Sequence, residues 1–190
     1  AGNTLTWVGN FTGSTGNWVK TGAGILKLNG QQGTTGTVTV NEGELQLNSG
    51  GGGNSLIQGN LTVGDGSGAA DSAVVRLLTT SQIADAGTTV QVLSDGLFVS
   101  YGEILGALNI QGGHVSTGTH TGLQTNGLLT LSGGTIDGTA NFYLNANADI
   151  QANANQSVIS ASTVILNATQ TITVADGAQD VDLLISSAMT

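Results

Sequence analysis

Apolar residues recur along this chain at every second position in short runs, and a glycine or a polar cluster ends each run. Leu26 and Leu28, Val38 and Val40, and Leu45 and Leu47 fall on one side of their runs; Lys27, Thr37, Thr39, Glu44 and Gln46 fall on the other. Strand side chains alternate between two faces, so this pattern predicts short strands with one buried face and one wet face. The alternation continues at Leu61 and Val63, at Val75 and Leu77 around an outward Arg76, and through Thr89-Val90-Gln91-Val92 to a turn at Asp95-Gly96. It resumes at Val164 and Leu166, Thr171 to Val174, and Leu183 and Ile185. Gln82-Ile83-Ala84-Asp85 reads as a short turn-like piece, and Ser49 to Asn54 as a flexible glycine excursion. No 3.6-residue apolar period lasts more than two turns, so no helix is predicted.

An internal repeat organises these strands. Leu108-Asn-Ile110-Gln-Gly112-Gly113-His-Val115 aligns with Leu129-Thr-Leu131-Ser-Gly133-Gly134-Thr-Ile136 at an offset of 21 residues. Self-similarity at about 20 residues marks a solenoid whose coils stack on their neighbours. Proline would remove ladder hydrogen bonds, and the chain has none. Short strands and glycine corners fit a sandwich poorly, because sandwich strands are longer and richer in aromatics. The expected fold is therefore all-β: a right-handed parallel β-helix, or β-solenoid, with coils of about 20 residues. From residue 140 onward asparagine replaces glycine, and its tolerance of left-handed backbone predicts that it makes the corners there. The motif does not change along the chain, so residues 1–190 read as one domain, with 1–17 as an N-terminal cap or assembly segment.

Composition narrows the function. Aromatic residues are 4% and charged residues 8%, against 38% hydrophobic residues and 31 glycines. Three basic residues against twelve acidic ones give a net charge of −9, which excludes phosphate-dominated nucleic-acid binding and disfavours anionic membranes. No apolar run approaches the ~20 residues that span a bilayer. Without cysteine there is no disulfide framework, and no signal peptide is legible, consistent with a mature or excised chain.

The segment Trp18-x-Lys20-x-Gly22-Ala-Gly24-x-Leu26-x-Leu28-x-Gly30, continued by Val38-x-Val40-x-x-Gly43-x-Leu45-x-Leu47, resembles the autotransporter-associated β-strand repeat. Weaker echoes run through Val63-Gly-Asp65-Gly66, Gln82-Ile-Ala-Asp85, Leu108-x-Ile110-x-Gly112-Gly113 and Val174-Ala-Asp176-Gly177 to Asp182-Leu-Leu-Ile185. The resemblance implies a β-helical stalk, adhesin or surface layer of a bacterial surface or secreted protein. It supplies no catalytic residues.

Candidate chemistry is sparse. Gly64-Asp65-Gly66-Ser-Gly68 with Asp71 is similar to a calcium turn of toxin-type solenoids, but calcium takes six to eight oxygens and one such turn is present. A plain turn is the simpler reading, as it is for Asp176-Gly177 with Asp180 and Asp182. His114 and His120 lack the further ligands a zinc site needs, and read as solvent-facing residues on neighbouring strands. Glu42 and Glu44 are the one close glutamate pair; a glycosidase would need two converging carboxylates, but Gly43 between them predicts a corner. Thr37/Thr39 and Thr171/Thr173 have the spacing of ice-binding solenoid faces without the coil-by-coil repetition.

No catalytic, cofactor-binding or metal-binding residues are assigned. The expected function is a non-enzymatic extracellular structural module of a surface fibre, sheath or matrix, at the bacterial cell surface or beyond it. Its expected partner is itself, head to tail, since neither end looks capped: no charge precedes Lys20 and none follows Asp182. Leu5, Trp7, Trp18, Leu183 and Ile185 are the candidate assembly residues, with Val8 and Phe11 completing the apolar N-terminal set. The alternatives are an adhesin that binds glycans in a side groove or at Trp7 and Trp18 and, further off, a β-helical carbohydrate-active enzyme or an ice-binding protein.

Overall fold

A computed structural model of the chain describes residues 3–10, 14–31, 33–50 and 55–190. Phe11, and Gly51 to Asn54 of the glycine excursion, lie outside the described residues. The first three coils each hold two strands: β1 (Thr4–Trp7) and β2 (Trp18–Lys20), β3 (Ile25–Leu28) and β4 (Val38–Val40), and β5 (Gly43–Leu47) and β6 (Leu61–Val63). The fourth holds β7 (Ala73–Leu77) and β8 (Thr89–Leu93). Four coils then carry three strands each: β9 (Gly96–Val99), β10 (Glu103–Leu105) and β11 (Ala107–Gln111); β12 (His114–Ser116), β13 (Leu123–Thr125) and β14 (Leu129–Ser132); β15 (Thr135–Asp137), β16 (Phe142–Leu144) and β17 (Ala148–Ile150); β18 (Ser157–Ile159), β19 (Thr163–Leu166) and β20 (Ile172–Val174). The chain closes with β21 (Leu183–Ile185) and β22 (Ala188–Met189).

Every strand pairs in parallel with its counterpart one coil away, giving sheets of nine, eight and five strands. This is a β-solenoid with no helix among the described residues, as the alternation and the repeat predicted. The repeat read from sequence is the observed register: Leu108 sits beside Leu129, Ile110 beside Leu131 and Val115 beside Ile136.

Parallel in-register stacking turns each inward position into a column along the axis. One column runs Leu5, Leu26, Leu45, Val75, Phe98, Val115, Ile136, Ile159, Ile185. A second runs Trp18, Val38, Leu61, Val90, Leu108, Leu129, Ala148, Ile172. From Leu45 to Ile159 in the first column and from Val38 to Ala148 in the second these side chains are buried, and they form one continuous core. The Gly-Gly corners allow the tight passage from one sheet to the next. Gly112 and Gly133 take the left-handed backbone, while a Cβ on Gly113 or Gly134 would run into Leu93 O or Ile110 Cγ2.

Asparagine works differently from the sequence expectation. Among the described residues, Asp71 and Ser81 are the non-glycine positions with positive φ, and no asparagine is. Asparagine side chains bond between coils instead. The Oδ1 atoms of Asn10, Asn17, Asn60 and Asn147 accept the backbone N–H of Gln31, Thr37, Thr89 and Thr171 at 2.8–3.0 Å. Asn167, Asn145 and Asn126 hand one amide bond down the stack, at 2.7 and 3.0 Å. An amide both donates and accepts, so a column of identical residues satisfies itself, which a glycine cannot do.

Candidate functional site

The two ends of the stack expose the core. At the first coil the inward residues Leu5 and Trp7 are 64% and 48% exposed, and Leu5, Trp7, Trp18, Leu26 and Leu28 line an apolar hollow of about 280 Å³. Trp18 packs half-buried against the core from its inward column. At the other end Leu183 and Ile185 pack partly buried under the last coil, while Val174, Val181, Leu184 and Met189 are exposed. The five assembly candidates therefore occupy the two end layers, three at one end and two at the other. Lys20 also lies in the first coil, at an inward position that later coils fill with Val40, Val63 and Val92. Its ammonium donates to the carbonyls of Gly22 (2.6 Å), Glu42 (2.8 Å) and Thr21 (3.3 Å). Burial lowers its pKa, partly offset by Glu42.

The aspartates of the calcium-like segment do not converge on one point. Asp65 accepts the Ser67 N–H in a local turn at 2.9 Å. Buried Asp95, one coil on, clasps the segment by accepting the N–H groups of Gly66 (2.7 Å) and Asp65 (3.3 Å). Asp71, in left-handed backbone, reaches along the solenoid to His114 Nδ1 at 3.3 Å. On the far side of the imidazole, Asp137 Oδ2 lies 3.0 Å from Nε2, an ion-pair contact at an angle outside hydrogen-bond geometry. His114 is thus half-buried between two carboxylates rather than solvent-facing. Burial alone would lower its pKa; Asp137 and Asp71 more than offset this and hold it above the usual histidine value. His120 is not on a strand: it sits in the turn before β13, with its ring stacked on Tyr101 at 4.5 Å. Among the described residues no group of three or more His, Asp or Glu side chains is placed to hold a metal ion.

The remaining sequence candidates separate as well. Gly43 makes the expected corner with φ 71°, and Glu44 turns to Arg76 of the next coil at 2.8 Å and to Gln46 at 3.1 Å. Asp182 Oδ1 accepts the Gly177 N–H at 3.1 Å, a plain cap. The two Thr-x-Thr pairs share one sheet face, yet Gln91, Asn109 and Asp149 interrupt the column between Thr39 and Thr173.

One polar cluster was not anticipated. Glu103 is 1% exposed and occupies an inward column whose later members are Leu123, Phe142 and Val164. Earlier coils have no third sheet, only single bridges from Thr34 to Ile57 and from Ile57 to Ile83. At this junction the Glu103 carboxylate accepts the backbone N–H groups of Gln82 (2.9 Å) and Ile83 (3.3 Å), serving where a strand carbonyl would otherwise stand. Gln82, fully buried, in turn donates to Ser49 Oγ (2.7 Å) and Thr80 O (2.8 Å) and accepts from Ser49 N (2.7 Å). Burial raises the Glu103 pKa to about 7, opposed by the backbone N–H groups of Gln82, Ile83 and Ile104 and aided by Asp85. The parity of Glu103 with Leu105 was the available signal. Compared with known proteins, the chain matches no family model, no curated protein and no solved structure.

Proposed function

We propose that this chain is a non-enzymatic structural module that stacks end to end, the last coil of one copy covering the first coil of the next. The observation that carries this reading is the exposure of apolar residues at both ends of an otherwise dry core. On the inward columns Leu5 and Trp7 are exposed at one end, and Val174 and Met189 at the other. Exposed parallel edges recruit further strands, and a contact between two different ends is heterologous, so it propagates into a filament unless its rotation closes a ring. The sheet columns have the same alternation at both ends, so Ile185 of one copy meets Leu5 of the next with inward and outward faces matched. The resemblance to autotransporter-associated repeats and the cysteine-free composition, poor in charged residues, support a place outside the bacterial cell, in a surface fibre, sheath or matrix. The scattered carboxylates give no support to a hydrolytic role.

The test is light scattering over a concentration series, with negative-stain images of the same samples. Growth of unbranched filaments with concentration is expected. A chain that stays monomeric throughout contradicts the proposal and leaves the end layers to be covered by other coils. Protease accessibility on intact source cells tests the location.

A further inference from the structure

We propose that a notch on the outer side of the five-stranded sheet binds one ring of an uncharged glycan. This goes beyond end-to-end stacking and does not depend on it. The notch forms because Gly102 and Gly122, in consecutive coils, both take positive φ (82° and 102°) at the turns leading into β10 and β13. Glycine is the residue that holds such backbone without strain, and here it also leaves the wall without a side chain. The result is a concavity of about 270 Å³ lined by Thr121, Ile104, Gln124 and Tyr143.

The lining has the chemistry of a sugar site. Aromatic faces pack on the C–H face of a pyranose, and Tyr143 supplies one within the notch. Tyr101, directly before Gly102 in sequence and 37% exposed, stacks with His120 at 14° between planes. Sugar hydroxyls need planar, held hydrogen-bonding groups. Gln124 Nε2 donates to Asn126 Oδ1 at 2.7 Å, and Asn126 is fixed in turn by Asn145, so the amide enters binding already ordered. Asn141 and the Tyr143 hydroxyl pair at 3.4 Å beside it.

The charge pattern selects the class. Glu103 contributes to the floor, but its carboxylate is turned inward to the N–H groups of Gln82 and Ile83. The other residues lining the notch are uncharged, while the chain as a whole carries −9, which disfavours uronates and sulfated sugars. Ile104, Gln124 and Tyr143 stand one coil apart in a single outward column, so the surface continues along the axis and suits a chain of sugars rather than a lone ring.

The test is calorimetry and amide NMR of the whole chain with cellohexaose, laminarihexaose, maltohexaose and N-acetylchitohexaose, and with oligogalacturonate as the anionic arm. Saturable binding of at least one neutral oligomer is expected, with shifts at the Gly102, Gly122 and Gln124 amides and none with oligogalacturonate. Tyr143→Ala and Tyr101→Ala should each weaken it about tenfold or more, as truncation of an aromatic anchor does. Thr173→Ala, on another sheet, should leave it unchanged, and circular dichroism checks the fold of each variant. Absence of saturable binding by all four neutral oligomers overturns the proposal. So does preference for the anionic one, or undiminished binding by the Tyr101→Ala/Tyr143→Ala double variant.

Discussion

Replacing Glu103 by glutamine should remove the component of stability that falls as pH rises from about 4.5 to about 7. In the folded chain burial lifts this carboxyl from 4.5 to about 7, so between those values the folded state holds a proton that the unfolded state has released. Stability that depends on this proton is fully present below pH 4.5, falls as pH rises, and is lost once pH passes about 7. Each pKa unit corresponds to about 1.4 kcal/mol, so the whole window is worth on the order of 3 kcal/mol. This direction is opposite to that of a carboxylate stabilised by a surface ion pair. Glutamine keeps the volume and one acceptor but sets an NH2 group against the Gln82 or Ile83 N–H. That costs ~1–3 kcal/mol and is itself independent of pH. The assay is the guanidinium midpoint of both proteins from about pH 5 to 8, converted to free energy. Subtracting the variant's curve removes the contribution of His114, a separate site. A flat difference between the two curves, or one that grows with pH, would refute the assignment of a buried protonated carboxyl at this junction.

Three further perturbations test the stack. Leu131→Ala, in a fully buried column position, should cost about 2–5 kcal/mol, and Lys27→Ala on the outer face well under 1 kcal/mol; the reverse order in denaturation curves would shift the register by one. Gly113→Ala should strongly destabilise the fold because its Cβ meets Leu93 O, whereas Gly16→Ala, with nothing within 4 Å, should melt like the parent in a thermal scan. The raised His114 pKa contributes stability below the unfolded histidine value that disappears as pH rises through the folded one; His114→Gln should remove that step in pH-dependent melts, and an unchanged step would show that Asp71 and Asp137 do not hold the charged form.

The coil was legible in sequence because alternation and a fixed offset are both consequences of in-register stacking. The Leu108/Leu129 alignment could be read directly as a pair of neighbouring strands. What could not be read was the third face of the early coils, where Ile57 and Ile83 make single bridges too short to leave a period. Parity is a better guide to facing than residue type. Lys20 points inward while Val19 is exposed, because the column of Val38 and Val40 sets the facing and an ammonium can bond turn carbonyls. Glu103 follows the same rule. The His114 clamp joins residues 43 positions apart through a loop that reaches along the axis, and short-range patterns carry no trace of such a reach. The Gly102/Gly122 notch likewise needs two coils in register before it exists.

The stacking of one copy on another is tested most directly by disulfide trapping, which the absence of native cysteine makes clean. Thr4 begins the outward column of the nine-stranded sheet and Leu184 ends it. In a head-to-tail stack the two face each other across neighbouring strands at about 4.8 Å, within the reach of a disulfide. The Thr4→Cys/Leu184→Cys chain should give, on mild oxidation, a reducible ladder of multiples of one chain. Thr4→Cys/Thr173→Cys, with its second cysteine on a different sheet, should not. Monomer alone from the first pair, or equal ladders from both, would contradict end-to-end stacking in this register.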